Sequence, residues 1–314
     1  MRIIIHGGLY RTGTTSLQSA LTKNRPLLQS AEILYPGSPS SASFPDTQHS
    51  YLFSKALARD FAACEAHLAE IHEAAMAANC DTVLLSSELG SSFPEIPESF
   101  AEFVAALRRH FDPIRFHFVL REPIGYATSL YRELISYGYC STSRIFSSSQ
   151  IKQLLLNPSN LVSFYSREIP GEVNFWSYKE LTQRGIVSTL TRAMTNVEFP
   201  HEEEPRLNTS RDRAGDPSMM LLAPLRSLIG EAVGDHAFGA RTSAELAKYV
   251  DNDLLRQAMR ADAAEELKAL YFRVTAENVE AVYRKHRDEI LEAIRPLPDG
   301  LRRLLTPQER PVAH

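Results

Sequence analysis

Cysteine is scarce in this chain. There are three in 314 residues, Cys64, Cys80 and Cys140, odd in number and without a C-x-x-C spacing. That excludes a disulfide framework and a cysteine-based zinc site, and reads as reduced thiols in a cytoplasmic protein. No stretch approaches the roughly 18–20 apolar residues that cross a bilayer. The first apolar run already begins at Arg2, so neither a membrane insertion nor a signal peptide is expected. An excess of one charge is missing too. Thirty-four basic and 38 acidic residues give a net charge of −4 and a pI near 6.2, which implies no general attraction to nucleic acid or anionic lipid. No clustered His/Cys/Asp set has metal-ligand spacing, and no internal repeat or low-complexity tract occurs, so no metal is expected. What remains is an ordinary globular composition, 44% hydrophobic and 23% charged, long enough to bury a sizeable core.

Three apolar runs, Ile3–His6, Thr82–Ser86 and Arg115–Leu120, read as buried parallel strands. Helical spacing separates them. Phe61, Cys64, Leu68, Ile71 and Ala75 mark a helix over 58–79, and Phe103, Ala106, Leu107 and His110 mark one over 99–110. Alternation of this kind predicts an α/β protein with an open parallel sheet covered by helices on both faces. Residues 35–49, rich in Pro, Gly, Ser and Thr, read as a long irregular loop. Further helices are predicted over 150–156 and 160–167, and a short strand over 174–176. A polar linker follows over 202–216, then a helical cap over 218–230, 243–250 and 276–294. The expected organisation is one domain, residues 1–314, with an α/β core to residue 200 and a mainly helical remainder.

The segment His6–Gln18, HGGLYRTGTTSLQ, joins the first strand to a helix start through a glycine-bearing turn. Backbone N–H groups and the positive helix end converge there, which suits a phosphate-like anion. Gly8 and Gly13 have the spacing of a Walker A loop, but Thr14 stands where that motif carries lysine, and the nearest cation is Arg11. Magnesium-dependent ATP chemistry is therefore a poor fit. The hydroxyls of Thr12, Thr14, Thr15 and Ser16 are candidate donors to the anion.

This segment resembles the 5′-phosphosulfate loop of sulfotransferases that use 3′-phosphoadenosine 5′-phosphosulfate (PAPS), and most resembles the bacterial carbohydrate-type branch, whose loop reads H-x-G-x-x-K-T-G-T-T-S-L-Q. A second stretch, Phe118–Tyr131, resembles the family's 3′-phosphate motif, a strand ending in Arg121 with Ser129 eight positions on. Weaker echoes are ILYPG at 33–37, LLSSE at 84–88 and WSY at 176–178, in the family's usual order. The resemblance implies a P-loop-like fold, PAPS as sulfate donor, no metal, and a hydroxyl acceptor, a saccharide by analogy with the branch. It also implies Arg11, Thr12, Gly13, Thr14, Thr15 and Ser16 around the 5′ end, and Arg121 with Ser129 at the 3′-phosphate. For the base that takes the acceptor proton, Glu88 after the second predicted strand and His49 at the end of the long loop both stand as candidates. His6 is read as ending the strand and orienting the loop. Arg11 departs from the family lysine: it keeps the charge but cannot give up a proton. Two rivals stay open, a non-catalytic module that binds the nucleotide and a small-molecule kinase. No version of the family's glycine-rich adenine-side motif is visible, and the oligomeric state is not readable.

Overall fold

The computed structural model describes residues 1–37, 49–136, 148–199 and 276–307. Cys140, the polar stretch 202–216, the predicted helices 218–230 and 243–250, and most of the predicted loop lie outside the described residues.

Among these, five strands form one parallel sheet in the order β2-β3-β1-β4-β5: β1 Arg2–His6, β2 Ile33–Leu34, β3 Thr82–Ser86, β4 Ile114–Leu120 and β5 Val173–Ser177. The expected α/β class is the observed one. β1 is central, with Ile3 opposite Val83 on one side and Ile114 on the other. The chain leaves β1 toward the β2 edge and leaves β4 toward the β5 edge. Between their carboxyl ends lies the point where an open α/β sheet accepts ligands.

Helices cover both faces. On one, Ile4, Leu84 and Val119 pack with Leu17 and Leu21 of α1 (Thr14–Lys23), Leu181 of α8 (Tyr178–Arg184) and Val187, Leu190 and Met194 of α9 (Ile186–Thr195). On the other, Phe116 lies 5.9 Å from Phe100 of α5 (Pro97–His110), and Phe118 lies 4.3 Å from Tyr165 of α7 (Ser148–Glu168), ring centre to ring centre. Each such fully buried aromatic contributes about 2–3 kcal/mol of burial free energy.

Two helices differ from expectation. The stretch over 58–79 begins at Phe61 instead, because Arg59 turns left-handed (φ 61°) and Asp60 caps the new helix, its carboxylate accepting from Ala63 N at 3.3 Å. A separate helix, α3 (Ser50–Leu57), precedes it, and α4 runs Phe61–Ala77. The two helices predicted over 150–167 are one, α7, running through Pro158, with Ile151, Leu155, Leu161, Val162 and Tyr165 all buried. Burial along its whole length outweighs the proline's cost of about 3 kcal/mol. α2 is Arg25–Ser30 and α6 is Pro123–Ser136.

One compact unit comprises the described residues up to Arg121, residues 158–199 and Leu297–Leu305, and holds the whole sheet. A second comprises those of 122–157, 276–296 and 306–307. In the second, the Glu122 carboxylate accepts from Ile124 N at 2.9 Å and Gly125 N at 2.6 Å, which starts α6 at Pro123. Lys152 pairs with Glu289 at 2.5 Å, and the helix expected over 276–294 is present but turns at His286. No described helix is long and apolar enough to cross a membrane.

Candidate anion-binding site

β1 ends at His6, and the turn after it carries left-handed backbone at Gly8 (φ 39°), Arg11 (φ 66°) and Gly13 (φ 87°). Glycine takes this conformation without steric cost. An arginine does so against a penalty of about 1–2 kcal/mol, which the surrounding turn must enforce. The Thr12 hydroxyl, 1% exposed, donates to Leu9 O at 2.6 Å. Its side chain latches the turn from within, so the expected role of that hydroxyl as a donor to an anion is corrected.

The turn delivers the chain into α1 with Gly13 at its N-cap, no side-chain cap and no acidic residue in the first turn. The positive helix end therefore has no carboxylate of its own first turn against it. Thr14 is 2% exposed, yet its Oγ1 has no hydrogen-bond partner. A buried hydroxyl left so costs about 1–3 kcal/mol, which a bound oxygen anion would recover. That atom lies 3.0 Å from the point a β-carbon on Gly8 would occupy, so only glycine leaves the cradle open. Thr15 is exposed, and Arg11 and Ser16 are half-buried at the same turn. Hydroxyls, helix amides and a guanidinium, with no acid among them, fit a phosphate or sulfonate oxygen.

The neighbouring strands bring other predicted residues to the same sheet edge. Ser87 N donates to His6 O at 2.9 Å, and Glu88, half-buried, opens a 3₁₀ turn (Glu88–Glu95) directly afterwards. That turn presses on the cradle: a β-carbon on Gly90 would sit 3.0 Å from Gly7 Cα. Tyr165 holds it there, its hydroxyl donating to Gly90 O at 2.7 Å. Arg121 follows β4, its guanidinium 5.0 Å above the Tyr178 ring, a cation–π contact. Ser129 is buried on α6 and belongs to the second unit.

His49 is placed differently from its expected role. Its Nδ1 accepts from Ser86 N at 3.0 Å, its Nε2 lies 3.0 Å from Pro36 O, and its own N–H donates to Ser86 O at 2.9 Å. Burial, above all, lowers its pKa to about 4. Both ring nitrogens are committed to backbone, so His49 pins the chain across the end of β3 and is not a base for an acceptor hydroxyl. His6 ends β1 as expected, 1% exposed, with Nδ1 3.0 Å from Ser86 Oγ.

Sequence reasoning missed Ser86, Gln18, Gly90, Tyr165 and Tyr178 as parts of this arrangement. Gln18, Ser86 and Tyr178 lay within quoted motifs, but nothing in the sequence pairs residues 68 positions apart, such as Gln18 and Ser86. Among the described residues no group of three His, Cys, Asp or Glu side chains is arranged to hold a metal ion.

No protein-family model matches the chain, and no curated protein matches it. Two solved structures show a partial likeness. The sulfotransferase domain from the curacin biosynthetic pathway is 14% identical at a TM-score of 0.38, over 67% of this chain and 78% of that one. A sulfotransferase from Alicyclobacillus acidocaldarius is 14% identical at a TM-score of 0.37, over 75% of this chain and 96% of that one.

Proposed function

We propose that the protein is a PAPS-dependent sulfotransferase that moves the sulfuryl group to a hydroxyl of a saccharide. One observation carries the reading: a cradle at the α1 N-terminus with no acidic residue in the helix's first turn and with the buried Thr14 hydroxyl unsatisfied, one strand away from Arg121. The cradle would hold the 5′-phosphosulfate through Gly13, Thr14, Thr15, Ser16 and Arg11, and Arg121 would grip the 3′-phosphate. Ser129 enters through its sequence spacing from Arg121 alone. PAPS would supply the activated sulfuryl group.

The chain's own residues would act mainly by positioning and fixed charge. Arg11 stabilises charge gathering on the departing phosphate oxygen. Glu88 takes the acceptor proton as the hydroxyl oxygen forms its bond to sulfur and the bond from sulfur to the phosphate oxygen breaks. Sulfated acceptor and adenosine 3′,5′-bisphosphate result, and the proton rests on the Glu88 carboxylate until solvent removes it.

Calorimetry comparing adenosine 3′,5′-bisphosphate with ATP, with and without magnesium, tests the reading. Preference for the bisphosphate supports it; magnesium-dependent ATP binding indifferent to a 3′-phosphate supports a kinase instead. Arg121→Ala is expected to weaken the 3′,5′-bisphosphate about thirtyfold while barely affecting adenosine 5′-monophosphate, the loss of one charge-assisted contact. Equal losses for both ligands would remove Arg121 from the 3′-phosphate.

Arginine in place of lysine at position 11 favours one second reading, a module that binds the nucleotide without turning it over. An acceptor screen with radiolabelled PAPS separates the two. Under the enzyme reading, Arg11→Lys transfers sulfate at least as fast as the natural chain, and Arg11→Ala is slower by roughly a hundredfold. An Ala variant as active as the natural chain would end that role for Arg11.

A further inference from the structure

We propose that His6 is a positioning residue for the cradle: an uncharged imidazole, fixed as the Nε2–H tautomer by Ser86 and Gln18, that locks the N-terminal half of α1 to the end of β1. The inference rests on the reading of the cradle as the nucleotide's anion site and adds the device that holds it in shape.

The residues stand in one in-register row. His6 is opposite Ser86 of β3 and opposite His117 of β4, and His117 is opposite Asn174 of β5. With Ile4, Leu84 and Val119 two positions away and packed on α1, strand alternation sets the whole row on the face that α1 covers. Gln18 of α1 comes down onto it, its Nε2 donating to Ser86 Oγ at 3.2 Å. Ser86 Oγ also lies 3.0 Å from His6 Nδ1. A serine hydroxyl has one proton. Gln18 supplies the hydrogen of its own bond, so the Ser86 proton is available to His6 Nδ1, and its donation there would put the imidazole hydrogen on Nε2.

Ser86 cannot drift from this duty, since His49 holds its backbone on both sides, through N–H to ring nitrogen and C=O to N–H. The other edge of the imidazole meets the turn. Its Cε1 lies 3.3 Å from where a Gly8 β-carbon would be, and Thr14 Oγ1 lies 3.0 Å from the same point. The ring is thus a floor under the glycine turn beside the unsatisfied hydroxyl. β1, α1 and the distant β3 are tied together at one serine oxygen.

Two measurements on the full chain test this. Nitrogen-15 imidazole spectra of the ligand-free protein are expected to show His6 as the Nε2–H tautomer with Nδ1 accepting. An Nδ1–H ring overturns the inference whether or not any variant folds. Calorimetry with adenosine 3′,5′-bisphosphate is then compared across natural chain, Ser86→Ala and Gln18→Met. Ser86→Ala is expected to lose the fixed tautomer and to bind about tenfold more weakly, and Gln18→Met a few-fold more weakly. Affinity unchanged in both variants overturns the inference and leaves the functional reading standing. A natural chain that binds no bisphosphate, with the Nε2–H tautomer intact, overturns the functional reading, and the purpose given to His6 goes with it.

Discussion

Acidifying the protein from pH 7 toward pH 5 is expected to remove several kcal/mol of folding stability. Three buried imidazoles set this. Burial is the first cause at each, and it lowers His6 to about 3, His49 to about 4 and His117 to about 4. The neighbouring His117 adds to the effect on His6, and Arg115 adds to that on His117. In the unfolded chain all three return to an ordinary value near 6.5. As pH falls below that value the unfolded state takes up protons that the folded state refuses, so stability falls with pH. The loss begins near pH 6.5 and continues until the folded rings protonate, His49 and His117 near pH 4 and His6 near pH 3. Each ring contributes a slope of up to about 1.4 kcal/mol per pH unit, so the three approach about 4 kcal/mol per unit near pH 5.5. Against a typical total of about 5–15 kcal/mol, that is a large fraction of the protein's stability, lost mostly before carboxylate titration matters. Urea unfolding at pH 8, 7, 6 and 5.5 measures the slope. His117→Asn is expected to lower it by about one third, whatever it does to stability at pH 8. A midpoint that does not move between pH 8 and 5.5 would mean that these rings are solvated.

The second large effect is at Gly7. A β-carbon there would lie 2.3 Å from Cε1 and 2.6 Å from Cζ of Phe118. That ring is fully buried, packed 4.3 Å from Tyr165 and 6.1 Å from Phe175 between centres, and has nowhere to retreat. Gly7→Ala is expected to cost about 3 kcal/mol and to displace the cradle's first turn. At Gly90 the obstruction is backbone, Gly7 Cα at 3.0 Å and Gly7 O at 3.1 Å, a tighter fit than most but a smaller overlap. Gly90→Ala is expected to cost about 1–2 kcal/mol. The mechanism is checked by a double-mutant cycle with Phe118→Leu. Making room should return more than 1 kcal/mol of the Gly7→Ala loss as a coupling energy. Gly7→Ala melting like the natural chain would show that the turn slides aside freely.

Much of the frame was legible because burial on both faces writes a strand as an uninterrupted apolar run: Ile3-Ile4-Ile5, Val83-Leu84-Leu85 and Phe116 to Leu120 all became strands. Two-residue β2 left no such run and was visible only as part of a motif echo. The break before α4 depends on Arg59 adopting a left-handed backbone, for which arginine gives no signal. The turn between β1 and α1 was readable from glycine spacing, yet the latch from Thr12 to Leu9 was not, because a threonine can as well face outward. His49 misled for the same reason. A lone histidine beside a polar loop carries no mark of burial, and only the finished sheet end shows both its nitrogens committed to backbone.

The placement of β1 has a consequence for how the chain comes together. It precedes both of its sheet neighbours in sequence, yet it is bordered by residues 82–86 on one side and 114–120 on the other. During synthesis its two hydrogen-bonding edges stay unsatisfied until those later segments emerge, and long-range pairing of this kind is slow. The nascent Ile3-Ile4-Ile5 stretch is then apolar chain with both strand edges open, prone to association until residues 114–120 arrive.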